Sequence, residues 1–544
     1  MFLLRPIIFI TIFSLTQLSA LTIQESVKEA SQNNPDIFQA ITQQQNAKEA
    51  VNKLQSDNYP TFFANGKLVT SKVKSRTTNY NSESVNSFDY SLGLKQNIYN
   101  GGATDNKIEY QNSKYFQQQK EVKYAYEDIT YNVLVAYYNI IKNKKLVFIE
   151  KNNINVINKL FNEISQSHKS GYAVLSDVKK VEASLENAKY NYLVQKNQLD
   201  RWIATLEYYT LKDVNEKEIY EQDIQIILQK TLQEAIEEAQ NSNPKIQALI
   251  KAIAAQTFYH KSTKATNLPT LDVVLEHGKS GDHDSLIGDT TQTQLYLDLN
   301  YKFAIGGAEK SKQKQAAIEL KRLQHQLSSL RNKIKLDVTN IWEKTASLIK
   351  QIEHLEYYFI HTSSTIDLYK QEFDVGSRGL IDLLSAQEEY VTSEKNLVTA
   401  RYDIKLLNFE QMYLSGNVMK PVMNSKVVTK SDSYKEYMFS QSYYNKLMDP
   451  QNKNKYIIHL AVYKYEKHMN KLLDKNRIRN NTYGFVIDNT NLTKIVFGIF
   501  DSHKAAQKHL SKYIKRKDVS DNKPYITRAS VVQKMIKKAK GLEY

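Results

Sequence analysis

Cysteine is absent from the 544 residues. That excludes a disulfide framework, a thiolate metal site, a cysteine nucleophile and a lipid-accepting cysteine. Glycine and proline are nearly as scarce over long stretches. Neither occurs between Ala103 and Ser170, Tyr172 and Asn243, Ala308 and Val375, or Leu380 and Ser415. Nothing in those stretches breaks a helix, and the longest would run about 100 Å at 1.5 Å per residue. No Walker-type Gly-x(4)-Gly-Lys is present, so the chain has no phosphate loop of that kind. Beyond the N-terminal segment no run reaches the ~18 apolar residues of a membrane helix, which leaves a β-barrel as the route into a membrane.

The chain opens with Arg5, an apolar stretch from Ile7 to Leu15, and Leu18-Ser19-Ala20. This is the pattern of a secretory signal peptide, residues 1–20, cleaved after Ala20, and it sends the rest of the chain across an inner membrane. Charge is divided unevenly. Residues 451–544 carry 21 Lys and Arg against 7 acids, or +14 of the net +16, and the remainder is nearly neutral. The tail is therefore a separate basic module with an anionic or polysaccharide partner.

The chain repeats itself. Asn34-Pro35 and Pro60 return 209 positions later as Asn243-Pro244 and Pro269. Gly101-Gly102 returns as Gly306-Gly307, and Gly171 with Asp177 returns as Gly376 with Asp382, all 205 positions later. A unit this long is a large supersecondary structure used twice, not a solenoid repeat. Val174, Val178, Val181, Leu185, Ala188, Tyr192 and Leu199 follow a coiled-coil seam, as do Leu383, Ala386, Tyr390, Leu397, Ala400, Ile404 and Leu407. Each copy reads as a long helix, a tight turn at Gly171 or Gly376, and a return helix.

Between the Pro60 and Gly101 landmarks the period changes to two. Phe88, Tyr90, Leu92 and Leu94 alternate with polar residues, as do Leu295, Leu297, Leu299, Tyr301 and Phe303 in the second copy. Their partners run from Phe62 to about Val73 and from Leu271 to about His277. Two-faced strands near ten residues suit a membrane barrel, and a half-buried soluble sheet shares the pattern. Four strands cannot close a barrel alone, so a spanning sheet requires several chains.

This order of elements resembles the TolC family of outer-membrane channels, over roughly Leu21 to Asn417. The most specific match is the run from Phe373 through Gly376, Arg378 and Asp382 to Gln387. The resemblance implies a mixed membrane protein: a homotrimer sharing one 12-strand β-barrel in outer-membrane lipid, continued by a long-helix α-barrel. It implies a passive exit duct of a tripartite efflux pump or type I secretion system, with an inner-membrane transporter and a periplasmic adaptor as partners. It implies a gate at the turns, with Arg378 as a latch facing Ser176 and Asp177, and Asp382 in a ring of carboxylates favouring cations. Simple helix N-terminal positions are the alternative for Asp177 and Asp382, and for Asp177 the two readings stand level. Some members carry tyrosine where this chain has Phe373, and a second acidic ring would need Asp at Ser385. A less acidic, less tightly latched gate is expected.

In the basic module, Tyr456 to Tyr463, a helix to about Lys475, Tyr483 to Ile487, Lys494 to Phe500, a helix from Ser502 to Lys515, and Tyr525 to Ala529 give a β-α-β-β-α-β order. That is a small α+β domain with helices over one sheet. Gly498-Ile499-Phe500 with Ala505-Ala506 resembles the SPOR domain, which implies binding to peptidoglycan glycan strands stripped of their peptides. His459, Tyr463, Tyr483 and Phe497 are then candidate contacts on an open sheet face, or core residues. The signal peptide argues against a nucleic-acid partner for this sheet.

The expected domains are the signal peptide, a channel domain 21–421 with repeats at about 21–215 and 230–417, a linker 422–454, a SPOR-like domain 455–530 and a basic tail 531–544. No carboxylate pair, nucleophile or metal cluster stands out, so no enzyme and no cofactor are expected. A structural tether between outer membrane and wall, conducting little, is the alternative to a duct.

Overall fold

A computed structural model of the chain describes residues 21–74, 83–222, 224, 226, 228–282, 289–302, 306–424, 436–438, 446–463, 482–486, 493–514 and 525–539. The signal segment, Phe303, the helix expected up to Lys475, Ile487 and much of the expected linker lie outside the described residues. The chain divides into two units, residues 1–220 with 224–425, and residues 426–544 with 221–223.

The first unit is the duplicated one. Its first copy runs α1 (Ile23–Asn33), α2 (Pro35–Ser56), β1 (Thr61–Val73), β2 (Glu83–Tyr99), α3 (Ala103–Lys169) and α4 (Leu175–Thr210). The second runs α5 (Leu232–Ser242), α6 (Pro244–Ala265), β3 (Thr270–Asp282), β4 (Thr290–Asn300), α7 (Ala308–Asp374) and α8 (Leu380–Leu414), followed by α9 (Met419–Asn424). The long helices α3 and α7 both have 67 residues. The four-residue slippage between copies falls in the strand hairpins, because the elements before and after them keep constant offsets.

The Asn-Pro landmarks are helix starts. Asn34 caps α2 by accepting from the Asp36 N–H, and Asn243 caps α6 by accepting from Lys245 and Ile246, with proline following each at the first helical position. Each cap amide also reaches a carbonyl at the end of its own copy's return helix, Tyr209 at 3.4 Å and Leu414 at 2.8 Å. One residue type thus satisfies orphan groups at two helix ends.

Helix α3 forms the centre. Val133, Leu134, Tyr137 and Ile140 are buried with Leu199 and Leu206 of α4, Tyr402 and Phe409 of α8, and Ile23 and Val27 of α1. The Tyr137 hydroxyl lies 3.1 Å from the Leu21 carbonyl and 3.0 Å from that of Tyr220. Ion pairs tie α8 to its neighbours: Arg401 to Glu356 at 2.6 Å, Lys142 to Asp403 at 3.2 Å, and Lys395 to the buried Glu150. Removing one partner of the two pairs with buried carboxylates would cost more than the pair itself contributes.

The strands form one antiparallel sheet in the order β1-β2-β3-β4, so the hairpins of the two copies join through β2 and β3. Register places Phe62, Leu94, Leu275 and Leu295 in one row across all four strands. All four stay exposed in the single chain, at 66, 45, 44 and 71 %. The other face is polar. Lys95 sits 2.8 Å from Asp272 and 3.7 Å from Asp298, and Asn97 donates to Asp272. Among the described residues no helix is long and apolar enough to cross a membrane.

The second unit holds β5 (Glu436–Met438), β6 (Tyr456–Tyr463), β7 (Thr482–Val486), β8 (Thr493–Phe500), α10 (His503–Ile514), β9 (Tyr525–Arg528) and α11 (Ala529–Ala539). The sheet order is β5-β7-β8-β6-β9. Two expectations are corrected. The supposed linker contributes β5, which pairs with β7 and covers an edge that would otherwise leave backbone groups unpaired. Most of the supposed basic tail is α11, whose Val532 and Met535 pack beside Ile457, Tyr483 and Val496. Of the candidate glycan contacts, His459, Tyr483 and Phe497 are buried at 3, 0 and 8 % exposure. Tyr463 ends β6, and its side chain lies outside the described residues.

Candidate functional site

The two helix-to-helix turns are built alike. After α3 the Gly171 N–H bonds to the His168 carbonyl and the Tyr172 N–H to that of Ser167, both at 2.9 Å. After α7 the Gly376 N–H bonds to Phe373 and the Ser377 N–H to Glu372, again at 2.9 Å. This is the Schellman arrangement, and it requires the left-handed backbone that Gly171 (φ 80°) and Gly376 (φ 76°) supply. The return helices then start at Leu175 and Leu380 without a side-chain cap, and Asp177 and Asp382 each fall in the first turn. That position suits a carboxylate facing the helix dipole.

The turns lie side by side. Ile157, Leu160, Ile164, Val181 and Leu185 of the first hairpin form one apolar cluster with Leu380, Leu383 and Leu384 of the second. Phe373 and Tyr369 pack onto it, so Phe373 acts here as an apolar anchor.

Arg378 does not engage Ser176 or Asp177 in the single chain; its partners are in its own hairpin. Its Nε lies 2.9 Å and its Nη2 2.8 Å from Glu372 Oε2. Its Nη1 is 3.7 Å from Asp382, and its guanidinium stands 4.1 Å over the Tyr369 ring. Within the single chain Arg378 therefore forms a staple inside the second turn. The reason is geometric: the Schellman turn folds Arg378 back over the last turn of α7, where Glu372 and Tyr369 already stand. Ser176 is exposed and Asp177 half-buried.

Sequence reasoning missed Glu372, Tyr369 and His168. Glu372 lies six residues before Arg378, one beyond the five-residue separation that the Schellman bond from Ser377 to Glu372 closes, and that was the available signal. His168 occupies the repeat position of Phe373, and its Nδ1 lies 2.8 Å from the Ala173 carbonyl, bridging the first turn. The position equivalent to Arg378 in the first turn is Ala173, so only the second turn carries a cation there. Among the described residues no group of histidine and carboxylate side chains could hold a metal.

A profile of the family described as "Outer membrane efflux protein" matches residues 26–210 and 235–407. The Escherichia coli K12 protein described as outer membrane protein TolC is 21 % identical over 422 residues, covering 72 % of this chain and 82 % of that protein. The Brucella suis outer membrane efflux protein BepC is 19 % identical over 333 residues, 60 % of this chain and 72 % of that one. Among solved structures, the Vibrio cholerae outer membrane protein VceC superposes with a TM-score of 0.63 at 13 % identity, over 73 % of this chain and 97 % of that one. The Campylobacter jejuni CmeC outer membrane channel gives 0.62 at 15 %, over 73 and 86 %.

Proposed function

Because the chain belongs to the outer membrane efflux protein family, we propose that it is a passive exit duct, embedded in the outer membrane and extending into the periplasm. The family is one of channels, not enzymes. The observation that carries the reading is the four-stranded sheet with one exposed apolar face, one ion-paired polar face and two unpaired edges, β1 and β4. In lipid an open edge leaves backbone groups unsatisfied at several kcal/mol each. Three copies joined edge to edge close a barrel of twelve strands, turning the Phe62–Leu295 row to lipid and Lys95, Asp272 and Asp298 to the lumen.

The helices below follow the same logic. Helix α3 is covered through its middle, from about Glu127 to Glu150, whereas α4 and α7 keep large apolar side chains exposed, among them Tyr190 and Leu193 on one and Leu336 and Ile349 on the other. Helix α4 of one copy meeting α7 of the next would bury them and complete an α-barrel. The turns then form its far end, narrowed by three copies of Asp382 and held by the Arg378 staple. A transporter in the inner membrane supplies the energy and a periplasmic adaptor joins it to the duct, for efflux or type I secretion. The basic C-terminal unit binds cell-wall glycan.

Mass measurement on detergent-purified protein tests this assembly. Three chains per particle are expected, falling to one in Leu336→Lys with the helical content kept. A monomer in the unmodified protein would overturn the shared barrel.

A further inference from the structure

The C-terminal sheet has two unlike faces. On one, Ile458 pairs with Phe497 and Ile526, and α10 closes over this side with Ala506 and Leu510 buried. On the other, register aligns Tyr483 with Val496, Val496 with His459, and His459 with Tyr525, and Lys494 follows two residues from Val496. Here the rings of His459 and Tyr525 lie 4.6 Å apart, and Lys494 Nζ donates to the Tyr525 hydroxyl at 2.8 Å. Helix α11 covers this second face. Ala529 and Val532 are buried against Ile457, Tyr483 and Val496, and the Met535 sulfur stands 3.7 Å from the Lys494 ammonium.

A helix that belonged permanently over this face would satisfy the polar groups beneath it. It does not. His459 is 3 % exposed, yet neither ring nitrogen has a hydrogen-bond partner, and beyond the Tyr525 hydroxyl the buried Lys494 ammonium has from α11 only the weak thioether acceptor of Met535. An unpaired buried donor or acceptor costs about 1–3 kcal/mol. Helix α11 itself has only 11 residues, too few to be stable in water without its packing. Besides its apolar side chains, it is anchored at its start by the Ala529 and Ser530 N–H groups, which donate to the Lys455 and Lys453 carbonyls at 2.8 and 3.0 Å, and further along by Gln533, which donates to the Leu447 and Asp449 carbonyls at 2.7 and 3.1 Å.

We propose that α11 is a displaceable cover over a saccharide-binding face formed by His459, Tyr483, Lys494 and Tyr525. The proposal rests on the reading of this unit as a wall-glycan binder. The ligand class follows from the groups beneath the cover: tyrosine rings stack on pyranose faces, and imidazole and ammonium bond hydroxyl and acetamide oxygens. A β-linked amino-sugar polymer therefore satisfies the His459 ring nitrogens that α11 leaves unpaired, and the covered state is the resting one.

Binding of the full chain to amidase-stripped peptidoglycan sacculi tests this. Val532→Asp, which weakens the seat of α11, should tighten binding at least tenfold, and adding Tyr525→Ala should cancel the gain. Hydrogen exchange on the unmodified chain covers the case in which Val532→Asp unfolds the unit. Stripped sacculi should speed exchange in Ala529–Ala539 and protect β6, β8 and β9. Binding that leaves α11 exchange and the Val532→Asp affinity unchanged overturns the cover while keeping the wall-binding reading. No binding by any form overturns both.

Discussion

The two copies share a backbone and differ in what surrounds it. Helices α3 and α7 have the same length, start after a Gly-Gly pair and end in the same turn. Yet α3 is enclosed through its middle, from about Glu127 to Glu150, and exposes only Phe116 and Val156 among its large apolar side chains, while α7 leaves Ile318, Leu336, Ile349, Tyr357 and Leu368 exposed. The repeat supplies the scaffold twice, with one copy's helix at the centre of the unit's core and the other's at its surface. The turns differ likewise: the second has the Arg378–Glu372 staple, and the first has Ala173 and a histidine bridge.

The sharpest way to break this contrast is at equivalent depths. Leu134→Ala, in the centre of α3, should destabilise the chain by about 2–5 kcal/mol. Leu336→Ala on α7 should change monomer stability by no more than about 0.5 kcal/mol, as an exposed site does, and weaken trimer assembly instead. Denaturant titration of both variants, with and without trimer present, separates the two effects.

The C-terminal unit, which is a copy of nothing, should differ from the body in its response to acid. Burial, with the Lys494 charge adding, holds the His459 pKa well below the ordinary imidazole value. The unfolded chain therefore takes up a proton below about pH 6.5 that the folded unit refuses. Stability is complete above that pH and falls as pH drops toward the depressed folded value, by up to about 1.4 kcal/mol per unit. Melting at pH 7.5 and 5.5 should show this loss, and His459→Leu should flatten it.

Where the copies agree, substitutions should agree. Alanine at Gly171 or Gly376 meets open space, so each should cost only the left-handed backbone penalty of about 1–2 kcal/mol, equally in both turns. The smallest effect is at Leu211, the repeat counterpart of Gly416, which holds φ 53° with a side chain. Leu211→Gly should stabilise the chain by less than about 1 kcal/mol in a melting assay.

Much of this was legible in the sequence, because it rests on local rules. The strand reading from Phe62 to Val73 matches β1 within one residue, since period-two alternation is a property of the strand alone. The glycines marked the turns because their φ values leave few alternatives. Arg378's partners were not legible: Glu372 and Tyr369 reach it only after the turn folds the chain back on itself. Nor was the burial of His459 and Tyr483, because alternation tells which residues share a face but not what covers it. That cover, α11, was hidden in a lysine-rich stretch whose basic residues drew attention from the apolar spacing of Ala529, Val532 and Met535.

The central claim is a duct whose far end is held by the second turn, and single-channel conductance in a planar bilayer tests it most directly. The unmodified trimer should show a small, cation-selective conductance that rises several-fold in Arg378→Ala. A folded, inserted trimer that conducts in neither form, or whose conductance ignores the loss of Arg378, would contradict the account.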